Sequence, residues 1–146
     1  MQQLRWWMRA TGTLYLLQAV IAAILFMPIR VLAPPNALGA AAAGDPTASL
    51  LVDTWVLFGL EVGTVGVILL LASRTPERAG PIVLAVLAIE LVRGIGHDIY
   101  MLVRGYEPTA FVIWIVVHCV VIGAGVLAFR QSRSDAAPGR LPLPIT

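Results

Sequence analysis

"PIVLAVLAIELVRGIGHDIYMLV", residues 81–103, is long and mostly apolar, yet it carries Glu90, Arg93, His97 and Asp98. A hydrocarbon layer of about 30 Å takes about 20 helical residues to cross, and this stretch meets that length. A charge at mid-membrane costs roughly 2.5–3.5 kcal/mol even on the gentlest insertion scale. A helix that holds so many ionisable groups needs partners for them elsewhere in the chain.

Composition puts the rest of the chain in the same setting. Of 146 residues, 59% are hydrophobic and 12% charged, against about 25% charged in an ordinary soluble domain. Mean hydropathy is +0.88. Such a chain cannot cover a water-facing surface, so most of its exterior is expected to face lipid. Three further segments, about 6–27, 50–72 and 110–129, are long and apolar enough to cross as well. The predicted fold is therefore all-α, a polytopic bundle of four transmembrane helices. "PIRVLAPPNALGAAAAGDPTAS" between the first two spans reads as an extramembrane loop, and "SRTPERAG" and "RGYEPT" as tight connections. Residues 131–146, "QSRSDAAPGRLPLPIT", read as a disordered Pro-rich tail behind a membrane domain covering 1–130. Arg5 and Arg9 precede an apolar run, as in a signal peptide. That run is too long for one, and the small residues "AAAA" at 40–43 lie well past its end, so the first segment reads as a retained span.

Arginine placement sets the orientation. The chain has ten Arg and no Lys. Arg5, Arg9, Arg74, Arg78, Arg130, Arg133 and Arg140 fall on one side, and Arg30 and Arg104 on the other. This bias places both termini in the cytoplasm. Trp6 and Trp7 mark the inner boundary, with Trp55, Tyr106, Phe111 and Trp114 near the outer one. Cys119 is the only cysteine, which excludes an internal disulfide or a CxxC redox pair.

The polar residues of the spans share a depth. At a rise of about 1.5 Å per residue, Asp53 lies about 4 Å below the outer end and His97 and Asp98 about 8–9 Å. His118 and Gln18 follow at about 12–13 Å, Arg93 at about 15 Å, Glu61 at about 16 Å and Glu90 at about 19 Å. They form one column descending from the outer face. On a regular third helix, Glu90, Arg93, Gly94, His97 and Met101 share a face, with Asp98 and Tyr100 flanking it. On the second span Gly59, Gly63 and Gly66 lie opposite Glu61 and offer a small-residue face, either to another helix of the chain or to a second copy.

Simpler roles compete for these residues. Arg93 paired with Glu61 or Glu90 would only pin helices together, His118 would serve equally as a packing histidine, and Asp53 as a helix N-cap. Pairing alone leaves Asp53, Glu61, Glu90 and Asp98 against Arg93, an excess of negative charge that needs protons or a bound cation in low dielectric. Exchangeable protons suit acid–base chemistry or proton-coupled movement. No Glu-x-x-His or His-x-x-x-His spacing suggests a metal, no propionate-binding pattern accompanies His97 and His118 to suggest haem, and no cofactor is expected. "RGIGHD" is not a dinucleotide fingerprint, and the arginines are topology signals rather than a nucleic-acid surface.

"LRWWMRATGTLYLL", "DTWVLFGLEVGTVGVILLLASR", "ELVRGIGHDIYMLVRGYEP" and "WIVVHCVVIGAGVLAFR" together resemble the BphX-like proteins over about residues 4–130. The resemblance implies a small bacterial integral membrane protein of four helices, in the inner membrane given the arginine bias. It assigns no residue a role. The residues themselves support two main functions. One is a membrane-embedded binder or carrier of a small lipophilic molecule, its polar group held by Glu61, Glu90, Arg93 and His97, with Asp98, His118 and Asp53 as further ligand-binding or proton-relay positions. The other is an acid–base enzyme, an isomerase or hydrolase, acting on a lipophilic substrate. An accessory subunit of a membrane complex is a third reading, and self-association through the glycine face is compatible with each.

Overall fold

The computed structural model describes residues 1–26, 44–106 and 108–136. Within them the chain is all-α, with four helices and no strand. Helix α1 is Gln2–Phe26, α2 is Pro46–Ala72 and α4 is Pro108–Ala136. Helix α3, residues 80–103, is α-helical over Gly80–Ile89, π-helical over Glu90–Ile95 and α-helical again over Gly96–Val103. A 3-10 turn at Pro76–Arg78 precedes it.

Several boundaries differ from expectation for local reasons. Helix α2 starts at Pro46, before the expected span. Proline is at home in a first helical turn, where its missing N–H has no partner to lose. The Asp45 carboxylate accepts the Thr47 backbone N–H at 2.8 Å, the usual work of an N-cap. Asp53 therefore lies inside the helix and caps nothing. Residues 131–136, expected to open the tail, continue α4. Nothing in "QSRSDA" breaks a helix, and the first proline beyond it is at position 138. The 27–43 part of the expected loop and the 137–146 part of the tail lie outside the described residues.

The chain divides into two compact units, Met8–Arg74 and Met1–Trp7 with Thr75–Thr146. In the first, α1 and α2 run antiparallel in close contact. Gly59 abuts Ala22, Gly63 abuts Ala19, and Gly66 abuts Gly12 and Tyr15. The glycine face is thus used inside the chain, and small residues on both helices let the two backbones approach. At one end of the pair Arg9 Nε donates to Ser73 Oγ at 3.4 Å.

In the second unit α3 and α4 run antiparallel. The turn between them opens on Gly105, whose φ of +80° only glycine adopts without strain. Its N–H returns to the Leu102 carbonyl and that of Tyr106 to the Met101 carbonyl, the paired bonds of a Schellman ending. Trp7, expected in the inner aromatic belt beside the exposed Trp6, is buried instead. Its indole N–H donates to the Val121 carbonyl at 2.9 Å. The Pro108–Asp135 stretch of α4 is long and apolar enough to cross a membrane, and only 6% of its apolar window is buried. Val56–Ala72 is a shorter apolar stretch.

Candidate functional site

The π-turn decides which residues of α3 meet α4. At its C-terminal end the Gly96 N–H bonds to the Leu91 carbonyl, five residues back. In a regular helix two four-residue steps carry a side chain about 80° off its starting face. The extra residue of a π-turn cancels that drift. Glu90, Gly94 and Asp98 therefore line one face, toward α4. The face expected from a regular helix does not form: Glu90 and Gly94 remain on the α4 side, while Arg93 and His97 are exposed. Asp98, expected only to flank that face, is buried.

His118 of α4 fills the space this face leaves. Its Nδ1 makes a 2.6 Å hydrogen bond with Glu90 Oε2, and its Nε2 lies 3.6 Å from Asp98 Oδ2. The imidazole thus sits between two carboxylates. Gly94 makes this possible, because a Cβ there would lie 2.6 Å from His118 Nδ1 and 2.8 Å from its Cγ. His97 Nδ1 in turn approaches Asp98 Oδ1 at 3.3 Å. Side-chain exposure is 5% at Glu90, 7% at Asp98, 18% at His118 and 44% at His97, so the group runs from a buried end to an accessible one.

Aromatic rings border it. Trp114 lies 6.1 Å from the His118 ring, centroid to centroid, and Phe111 6.4 Å from that of His97. Tyr106 packs edge-on against Phe111. These rings were expected only as an outer interfacial belt. The spacing of Phe111, Trp114 and His118, at i, i+3 and i+7, is the signal that places all three on one face of α4.

One orphaned group marks the site. Asp98 Oδ2 is buried and has no hydrogen-bond partner among the described residues. A buried acceptor left unpaired costs about 1–3 kcal/mol, and more when charged. Such groups are rare in folded proteins and call for a physical reason. Among the described residues, no three or more His, Cys, Asp or Glu side chains are arranged to hold a metal ion.

The BphX-like family model matches residues 1–134. The chain belongs to the BphX-like family. Two of its relatives are an uncharacterised BphX-like protein of Burkholderia cepacia and one of Paraburkholderia xenovorans strain LB400. Each is 34% identical over 94 residues, 64% of this chain and 67% of the relative. No solved structure matches.

Of the positions singled out in this BphX-like sequence, the structure gathers Glu90, His97, Asp98 and His118 in one unit. Arg93 is on the same helix but exposed. Asp53 and Glu61 stand on α2, in the other compact unit, and both are exposed. Gly94 was legible only as a member of a helical face. Its role as the floor beneath His118 depends on the π-turn.

Proposed function

We propose that this BphX-like chain is a multi-pass protein of the bacterial inner membrane that binds, and in doing so carries or presents, a small lipophilic molecule. The polar group of that molecule is held at the Glu90–His118–Asp98 site, toward the outer face, by hydrogen bonds that the surrounding apolar helices strengthen. Exposed apolar side chains support the membrane setting: Val92, Val103 and Val120 of α3 and α4 are each more than half exposed, at 72%, 81% and 63%. The arginine bias supports a cytoplasmic location of both termini, and the first residue meeting the end of α4 supports their lying on one side. There the Met1 ammonium lies 2.8 Å from the Asp135 carboxylate.

The observation that carries the binding reading is the buried Asp98 Oδ2 beside His118 Nε2. A ligand hydroxyl or amide lying between the two could bond to both, its donor and acceptor matched to whichever of them carries the proton. An imidazole between two carboxylates also favours a second reading, acid–base catalysis on a bound lipophilic substrate. Mass spectrometry of small molecules that co-purify with the protein tests the first reading. A defined compound should accompany the wild type and be lost from a folded Asp98→Asn variant. The same small-molecule profile in both proteins would reject it, and a chemically altered product released by the wild type alone would favour catalysis.

A further inference from the structure

We propose that His97, Asp98, His118 and Glu90 form, in that order, a proton relay between the accessible side of α3 and the buried Glu90 carboxylate. The four groups stand in series. His97 Nδ1 is 3.3 Å from Asp98 Oδ1, Asp98 Oδ2 is 3.6 Å from His118 Nε2, and His118 Nδ1 is 2.6 Å from Glu90 Oε2. Each inner group offers two different atoms, one to receive a proton and one to release it. Only the outermost, His97, is substantially exposed. Imidazole and carboxyl groups are the side chains best suited to pass protons near neutral pH.

The transfer balances without any other reactant. A proton taken from solvent by His97 leaves its Nδ1 for Asp98 Oδ1. The proton Asp98 held on Oδ2 passes to His118 Nε2, and the one His118 held on Nδ1 passes to Glu90 Oε2. One proton enters, one arrives, and both intermediates keep one each on the opposite atom. The three transfers run in reverse return the proton from Glu90 to solvent and reset the chain.

The middle step is the gate. A separation of 3.6 Å is too long for a hydrogen bond, and it falls at the orphaned Asp98 oxygen. Closing it needs only a small rotation of that carboxyl or a shift in the π-turn that carries Gly94 beneath the ring. The other titratable groups on these two helices, Arg93, Tyr100, Cys119, Arg130, Arg133 and Asp135, are all exposed. The relay does not require a bound ligand, so it stands or falls separately from the binding reading.

Time-resolved infrared spectroscopy after a pH jump, on the full chain in lipid nanodiscs, tests it. The carboxyl C=O band that Glu90→Gln removes identifies Glu90. In the wild type this band should change after the jump. His97→Leu and Asp98→Asn should each slow that change by about 100-fold, the low end of what a positioned proton-transfer group contributes, while leaving its final amplitude. His97 is half-exposed, so its replacement leaves the fold intact, and Asp98→Asn keeps the shape of the side chain. A Glu90 band that never changes, or one that changes equally fast in His97→Leu, would overturn the relay.

Discussion

The two helix pairs keep their carboxylates in opposite ways. In the α1–α2 pair the contact is made by glycine and alanine, with Gly59 and Gly63 against Ala22 and Ala19, and Asp53 and Glu61 are left exposed. In the α3–α4 pair the contact is polar: Glu90 and Asp98 are buried on either side of His118. Small-residue packing needs only shape, and it leaves acidic side chains on the outer surface of the helix. A buried imidazole between two carboxylates needs register as well, and a regular helix does not provide it over the spacing from residue 90 to 98. The π-turn does, at the cost of regular hydrogen bonding, and such turns are common at functional sites. The difference teaches that the first pair is joined by shape alone and the second around a buried polar cluster.

Thermal unfolding in detergent micelles can break this contrast. The largest effect is expected from Gly94→Leu, which drives a side chain into the His118 ring and severs its bond to Glu90. The loss should be about 3 kcal/mol or more, from overpacking and the loss of the Glu90–His118 hydrogen bond together. If Gly94→Leu is tolerated, His118 does not rest on Gly94. Glu90→Gln keeps the volume but loses a charge-assisted hydrogen bond, worth about 1.5–3 kcal/mol. Gly63→Ala adds one methyl against Ala19 and should cost about 1 kcal/mol, since that helix pair has little room to give. Asp53→Asn, at an exposed position inside α2, should stay within about 0.5 kcal/mol. A loss at Asp53 as large as that at Glu90 would erase the distinction between the two pairs.

Much of this was legible before any coordinates. Apolar length gave four helices, and the spacing of Gly59, Gly63 and Gly66 gave a contact face because a regular helix repeats predictably. The polar column on α3 was legible as a set of residues but not as an arrangement. Periodicity at 3.6 residues paired Glu90 with Arg93 and His97, whereas the π-turn pairs it with Asp98 and turns His97 outward. Single-sequence periodicity carries no term for an inserted residue, and the glycines of "RGIG" were the only local hint. Asp45 and Asp53 show the same limit at a helix end. Both are acids near a helix start, and only the position of the first turn tells which one caps it.

The most direct test of the central arrangement is nitrogen-15 NMR of the His118 ring in the wild type, Glu90→Gln and Asp98→Asn. The structure places Glu90 at Nδ1 and Asp98 at Nε2. Glu90→Gln should therefore displace chiefly the Nδ1 resonance, and Asp98→Asn chiefly that of Nε2. If neither variant moves a ring nitrogen, or both move the same one, His118 does not sit between the two carboxylates and the account fails.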